Sequence, residues 1–326
     1  MNTVYLRLNS ESQDQQMIQK AADILLSGEL VAFPTETVYG LGACAFCREA
    51  VDKIFQVKQR PYDSPLLVHI SKKEHVARIA REISPEAQLL MDKFWPGPLS
   101  IIVAARPEVP DVVRGGKDRI GLRMPSHPVA LALIDITGPL AAPSANLHGR
   151  PSPVSADHVR DDLDGKIAAV LDAGPVGPSL ESTIIDLSVR PFQVLRLGAI
   201  PVEEVQEVLK EGITVKENNN IKYRFNIKSY ISRSIEDFNR EIQEQQAMRK
   251  KVAVVYNNAD KQHNINSGSI REYELDLMGR NTSIYSILRD AEQAGMDIII
   301  FAPWPENLSG VARSMADRVY RAAGRE

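Results

Sequence analysis

Short apolar runs alternate with amphipathic stretches through the first two thirds of the chain. VAFP from Val31, LLVHI from Leu66, LSIIVAA from Leu99, RIGLRMP from Arg119, PLAAP from Pro139, AAVLDAG from Ala168 and STIIDL from Ser182 are β-rich and closed by turn residues. Runs of that length and composition predict strands. Between them, the spacing of apolar residues predicts helices over Gln13 to Leu26, Arg48 to Val57 and His127 to Ile136. A capping box at Ser71 to Glu74, and Ser84 followed by Pro85, mark two further helix starts. The class is α/β.

The alternation breaks near Glu211. A polar run, Glu217 to Asn220, is followed by KYRFNIKSY, and Ser232 to Lys251 reads as a charged helix with Ile235, Phe238 and Ile242 on one side. Residues 211–250 are therefore expected as a linker, and a connection of that length is more often a lid or tether than a simple loop. A second α/β pattern follows over 251–326: KVAVVY and DIIIFAP as strands, Ser283 to Ala294 and Ser309 to Ala323 as helices, and a shorter strand near Glu272 to Asp276. The expected organisation is a large domain over 1–210, the linker, and a small domain over 251–326, which suits a chain of 326 residues.

Composition narrows the class of function. With 44% hydrophobic and 25% charged residues and a formal net charge of −3, the chain reads as an ordinary globular protein. No apolar run approaches the roughly 18 to 20 residues that span a bilayer, and MNTVYLRLNSESQ lacks the order of a secretory signal, so a cytoplasmic protein without membrane contact is expected. Residues 1–210 carry 22 Lys and Arg against 26 Asp and Glu, and residues 211–326 carry 17 against 16. Neither part has the basic excess of a protein held mainly by nucleic-acid phosphates, which leaves only a weak, local RNA contact. The two cysteines, Cys44 and Cys47, form a lone C-x-x-C. A redox pair and half of a zinc site are the functional alternatives; the plain structural reading is preferred, since structural zinc needs four ligands and no second pair exists.

Candidate chemistry gathers where strands end in polar turns, the place where ligands bind in open α/β sheets. There is no G-x-G-x-x-G and no G-x-x-x-x-G-K-[ST], and RGGKDR from Arg114 has the wrong spacing for a P-loop. Side chains must then do more of any phosphate binding. Lys58 and Arg60 stand two apart where Pro61 ends a helix, so irregular backbone can aim both at one pocket; a solvated helix end is the competing reading. Ser144 and Asn146 in PSAN, with Arg150 and Ser152 in GRPSP, offer groups suited to phosphate, ribose or carboxylate, or else a plain turn. Thr35 and Thr37 follow a buried-looking strand, with Gly40 and Gly42 beyond them. A Ser-His-Asp hydrolase is disfavoured by the absence of G-x-S-x-G.

In order along the chain, FPTETVYGLG, KQRPYDSPLLVHI, FWPGPLSIIV, RMPSHP, APSANLHGRPSP and ESTIIDL followed by VLRLG resemble the threonylcarbamoyl-AMP synthase family in its long form. The resemblance implies a large twisted mixed-sheet domain of YrdC-like fold and a small C-terminal α/β domain, Rossmann-like. It implies a nucleotidyltransferase that forms threonylcarbamoyl-AMP and pyrophosphate from L-threonine, bicarbonate or CO2 and ATP, with Mg2+ accompanying ATP. The product would pass to the machinery that threonylcarbamoylates an adenosine of tRNA. By resemblance, Thr35, His69, Arg123 and Ser182 hold threonine or its carbamate, Ser144, Asn146 and Ser152 face the nucleotide, and Lys58, Arg60 and Arg196 take phosphate roles. Lys58 and Arg60 are the expected catalytic residues, and no side chain is assigned to a metal. The alternatives are a non-catalytic RNA- or nucleotide-binding protein on the same fold and a carbamoyl-adenylate enzyme with another acceptor.

Two departures stand out. The family's linker carries a motif similar to PGMKYRHYAP; here it reads NNIKYRFNIKSY, keeping only Lys222, Tyr223 and Arg224. Phe225 and Asn226 replace the usual His and Tyr, so the nucleotide-contacting aromatic is absent unless Tyr223 or Tyr230 takes its place. Arg119 stands where the family often has Thr.

Overall fold

The computed structural model describes residues 2–9, 11–177, 180–216, 222–257, 269–276, 282–305 and 308–324. It divides into two compact units: Met1–His148, Ser152–Gly177 and Glu181–Glu217 in the first, Gly149–Pro151, Pro178–Leu180 and Asn218–Glu326 in the second.

In the first unit the strands are β1 (Val4–Arg7), β2 (Val31–Phe33), β3 (Gly40–Cys44), β4 (Leu67–His69), β5 (Leu99–Ala104), β6 (Arg119–Arg123), β7 (Leu140–Ala141), β8 (Ala169–Asp172), β9 (Thr183–Asp186), β10 (Phe192–Arg196) and β11 (Ile213–Val215). They form one sheet in the order β1-β8-β2-β3-β7-β4-β6-β5-β9-β10-β11. It contains both parallel pairs, such as β4 with β6, and antiparallel pairs, such as β5 with β6, the mixed sheet that the family resemblance implies. The helices are α1 (Glu11–Leu26), α2 (Arg48–Lys58), α3 (Pro85–Phe94), α4 (Asp111–Arg114), α5 (Pro128–Thr137), α6 (Ala156–Leu163) and α7 (Val202–Leu209).

Periodicity explains these helices. In α1, Ile18, Ala21, Ala22 and Leu25 are buried at the i, i+3, i+4, i+7 spacing of one face. In α2 the buried stripe runs through Ala50, Val51, Ile54 and Phe55 and ends on Lys58. Gln59 then takes a left-handed conformation with φ 53° and stops the helix. Ser84 caps α3 as expected, its hydroxyl accepting from the Ala87 amide at 3.2 Å. The box at Ser71 behaves otherwise: the Ser71 hydroxyl donates to Asp135 at 2.6 Å, and only a short 3-10 turn over Lys73–Arg78 follows. A tertiary partner has taken the hydroxyl that would have capped the helix. β1, β3, β10 and β11 lie in stretches from which no strand was expected; β3 is the glycine-rich GLGAC, whose low strand propensity hides it.

The second unit contains β12 (Lys228–Ile231), α8 (Ile235–Ala247), β13 (Val252–Asn257), β14 (Ile270–Leu275), α9 (Ile284–Gln293), β15 (Ile298–Phe301) and α10 (Gly310–Ala323). Its strands are all parallel in the order β12-β15-β13-β14, a small Rossmann-like arrangement. β12 and α8 fall within 211–250, expected as linker; Phe238 and Ile242 of α8 pack into the same apolar cluster as Val252, Val254 and Ile300. An amphipathic stripe needs a partner to cover it, and the second sheet supplies one. The polar run Glu217 to Asn220 lies outside the described residues. Among the described residues, no helix is long and apolar enough to cross a membrane.

Candidate active site

A cleft of 260 Å³ opens in the first unit where β3, β4, β6, β9 and β10 meet the turn after β7. The pleat of β6 puts alternate residues on one face, and Arg119, Gly121 and Arg123 all line the cleft. On β4 the same alternation brings Leu67 and His69 to it, and the parallel register sets His69 beside Arg123. A register shift in β10 between Val194 and Arg196 lets consecutive residues, Leu195 and Arg196, both face inward. Five cations, Arg60, Lys117, Arg119, Arg123 and Arg196, share the lining with one carboxylate, Glu181. Such a surface suits a polyanion.

At one end the PTET turn is folded around Arg123. The Thr35 hydroxyl donates to the Val38 carbonyl at 2.6 Å and accepts from the Thr37 and Val38 amides at 3.2 Å. It also meets the Thr37 hydroxyl at 2.9 Å. Nη2 of Arg123 donates to the Thr37 hydroxyl at 3.0 Å and lies 2.9 Å from Oε1 of Glu36. Nε reaches the Gly97 carbonyl at 3.4 Å. Only 3% of Arg123 is exposed, so its charge is held in a largely dry wall where a carboxylate would pair strongly.

His69 is buried, edge-on to Phe33 with ring centroids 6.3 Å apart. Burial first, then the nearby Arg123 and Arg196 charges, hold its pKa well below the usual histidine value, so the ring is neutral at pH 7. Its Nδ1 has no hydrogen-bond partner among the described residues. Ser182 is tied down on two sides: its hydroxyl meets that of Ser100 at 2.7 Å and accepts from Nη2 of Arg196 at 2.8 Å. Arg196 also donates to the Ser182 carbonyl through Nε at 3.0 Å and Nη2 at 2.8 Å. Arg60 donates to the Pro65 carbonyl at 3.1 Å, and burial lowers its pKa while Asp63 raises it.

Of the ten expected site residues, Thr35, Arg60, His69, Arg123, Ser144, Ser182 and Arg196 line the cleft, whereas Lys58, Asn146 and Ser152 stand behind it. Lys58 is only 2% exposed, and its ammonium donates to the Ser144 carbonyl at 2.5 Å and to the Asn146 carbonyl. Its position on the buried stripe of α2 carries it under the PSAN turn. Asn146 donates from Nδ2 to the Leu147 carbonyl at 2.8 Å, and Ser152 donates to Glu181 at 2.8 Å. These three build the wall that presents Ser144 and Glu181.

Glu36, Lys117, Arg119 and Glu181 were not among the expected site residues. Arg119 was legible from its even spacing to Arg123. It is fixed by a 2.6 Å ion pair to buried Asp186, which also accepts from the amide and hydroxyl of Ser188. In the second unit, Tyr223 packs edge-on against Tyr285 with centroids 6.0 Å apart, and Tyr230 sits in β12 against the apolar cluster of that unit. Both aromatics of the departing linker motif are thus used in the second unit's own packing. Arg150 pairs there with Glu292 at 2.7 Å, and Nη2 of Arg289 donates to the Pro151 carbonyl at 2.6 Å.

Residues 23–198 match a family model described as "Telomere recombination", and residues 200–324 match one described as "Threonylcarbamoyl-AMP synthase, C-terminal domain". The chain is 36% identical to a threonylcarbamoyl-AMP synthase of Pyrococcus abyssi, over 96% of each chain. It is 35% identical to a threonylcarbamoyl-AMP synthase of Bacillus subtilis, over 96% of this chain and 94% of the other. The crystal structure of P. abyssi Sua5 complexed with L-threonine superposes with a TM-score of 0.85 at 35% identity, covering 99% of this chain and 98% of that one.

Proposed function

The chain belongs to the threonylcarbamoyl-AMP synthase family, and from that premise we propose that the cleft of its first unit is where L-threonine, bicarbonate and ATP are joined. The activity is that of a nucleotidyltransferase serving tRNA modification. Threonine's amine takes up CO2 as a carbamate, a carbamate oxygen attacks the α-phosphate of ATP, and the α–β bridging oxygen leaves with pyrophosphate. The observation that carries the placement is the cleft itself: five cations with a buried arginine at one end, in the part of the chain whose motifs suggest the reaction.

Arg123 takes the threonine carboxylate, since a planar guanidinium pairs a carboxylate through two parallel hydrogen bonds. His69, neutral at pH 7, and Ser182 flank that end and hold the amine or the carbamate without adding charge. Arg60 and Arg196 face the phosphates, where negative charge grows as pyrophosphate departs and fixed cations matter most. Ser144 presents its hydroxyl from a turn braced by Lys58 and bridged to Gly40. Holding three reactants in one cleft supplies much of the acceleration. The lining contains a single carboxylate, Glu181, already accepting from Ser152. That donor set does not make a protein cage for Mg2+, which would arrive on the ATP phosphates; no step is assigned to it. A cytoplasmic setting and delivery of the product to the enzyme that transfers the threonylcarbamoyl group to tRNA accompany this reading.

The test is stoichiometric. Pyrophosphate should appear only when ATP, threonine and bicarbonate are all present; release that ignores threonine would overturn the proposal. Arg123→Ala should raise the KM for threonine at least tenfold and leave that for ATP nearly unchanged.

A further inference from the structure

Glu36 has no role in the chemistry above, yet its surroundings are unusual. Both of its carboxylate oxygens are sealed from solvent, and neither accepts an aligned hydrogen bond among the described residues. Its one strong partner there is a charge: Oε1 lies 2.9 Å from Nη2 of Arg123. Removing a carboxylate from water without hydrogen bonds is costly, and only a close cation offsets the loss. Arg123 has the complementary problem, a guanidinium 3% exposed in a cleft that already holds Arg60, Lys117, Arg119 and Arg196. The pair solves both.

The geometry also fixes direction. Nη2 is engaged by Glu36 and by the Thr37 hydroxyl, and Nε reaches toward the Gly97 carbonyl. Nη1 has no partner among the described residues, while Arg123 lines the cleft. Thr37 is in turn held by the Thr35 hydroxyl at 2.9 Å. Glu36 itself does not line the cleft. It therefore braces the guanidinium from the wall and leaves the cleft side to the ligand.

We propose that Glu36 is a positioning residue for threonine: its ion pair locks the Arg123 guanidinium in the orientation that receives the amino acid's carboxylate, and so sets affinity for threonine. The proposal rests on the reading that Arg123 takes that carboxylate. A Glu36 that competed against the incoming carboxylate for Arg123 would change KM in the opposite direction.

The experiment measures threonine-dependent pyrophosphate release by wild type, Glu36→Gln, Glu36→Asp and Arg123→Ala, with L-threonine and with L-threoninamide, which lacks the carboxylate. Glu36→Gln should raise the KM for threonine about tenfold or more, leave kcat within about threefold and leave the KM for ATP unchanged. Glu36→Asp, which keeps the charge, should recover part of the loss. The preference for threonine over threoninamide should collapse in Glu36→Gln, an effect that general loosening of the fold would not produce. Binding of ATP by the full chain, followed in parallel, shows that each variant is folded. A KM for threonine that falls or does not move in Glu36→Gln, while Arg123→Ala raises it, overturns the proposal alone. No change in either variant overturns the reading of Arg123 as well.

Discussion

Replacing Lys58 with Met separates bracing from phosphate binding. The side chain is 2% exposed, and two of its N–H donors go to the carbonyls of Ser144 and Asn146. A hydrogen bond from a charged donor contributes about 1.5 to 3 kcal/mol. Methionine fills nearly the same volume and abolishes the cost of burying an ammonium, which returns part of the loss, but it strands two carbonyls at about 1 kcal/mol or more each. The net destabilisation is about 2 to 4 kcal/mol. For a unit of this size each kcal/mol lowers Tm by about 2 to 4 °C, so calorimetry should find the first transition about 5 to 15 °C lower. Activity should fall about a hundredfold or more, because a displacement of about 1 Å in the turn that carries Ser144 is enough to do so. A variant that melts within about 2 °C of wild type yet loses ATP binding would refute the bracing role and return Lys58 to the phosphates.

At Gly198 a Cβ would lie 2.3 Å from the Glu181 carbonyl oxygen and 2.4 Å from the Thr183 nitrogen, both backbone; Gly198→Ala should cost about 2 to 4 kcal/mol by forcing the segment beside Ser182 to shift, seen as a lower urea midpoint with an unchanged slope. His69 titrates in the unfolded chain near pH 6.5 but stays neutral when folded. The unfolded state therefore binds more protons below that pH, and stability should decline as pH falls from about 6.5, at up to about 1.4 kcal/mol per unit. His69→Gln should flatten that decline relative to wild type in denaturant titrations at pH 7 and pH 5; parallel curves would contradict the assignment. Arg119→Met leaves Asp186, 1% exposed, without its cation; since Arg119 is about a third exposed, the loss should be about 1 to 2 kcal/mol, read from the thermal midpoint, with a higher KM for ATP.

Much of this was legible in the linear chain because it depends on local chemistry. Ser84 and Pro85 start α3 whatever surrounds them, and the alternation of RIGLR places Arg119 and Arg123 on one face. Seven of the ten site residues reach the cleft because motifs at strand ends converge wherever parallel strands lie side by side. Lys58 stands behind the cleft because, at the end of the stripe Val51, Ile54 and Phe55, its side chain follows that stripe inward. A basic residue at a helix end looks solvated until the turn it must brace is known.

By itself the sequence determined the class, the family and the residue types of the site, since these follow from short-range periodicity and motif order. Tertiary structure alone decided which residues face the ligand and which hold those that do. Glu36 and Arg123 are 87 positions apart, and Ser152 and Glu181 are 29 apart. An ion pair or a hydrogen bond between such residues depends on strand register and on the exclusion of water, neither of which is encoded at either position alone. For the same reason β12 and α8, mostly polar or charged, became part of a packed unit only when a second sheet existed to cover Phe238 and Ile242.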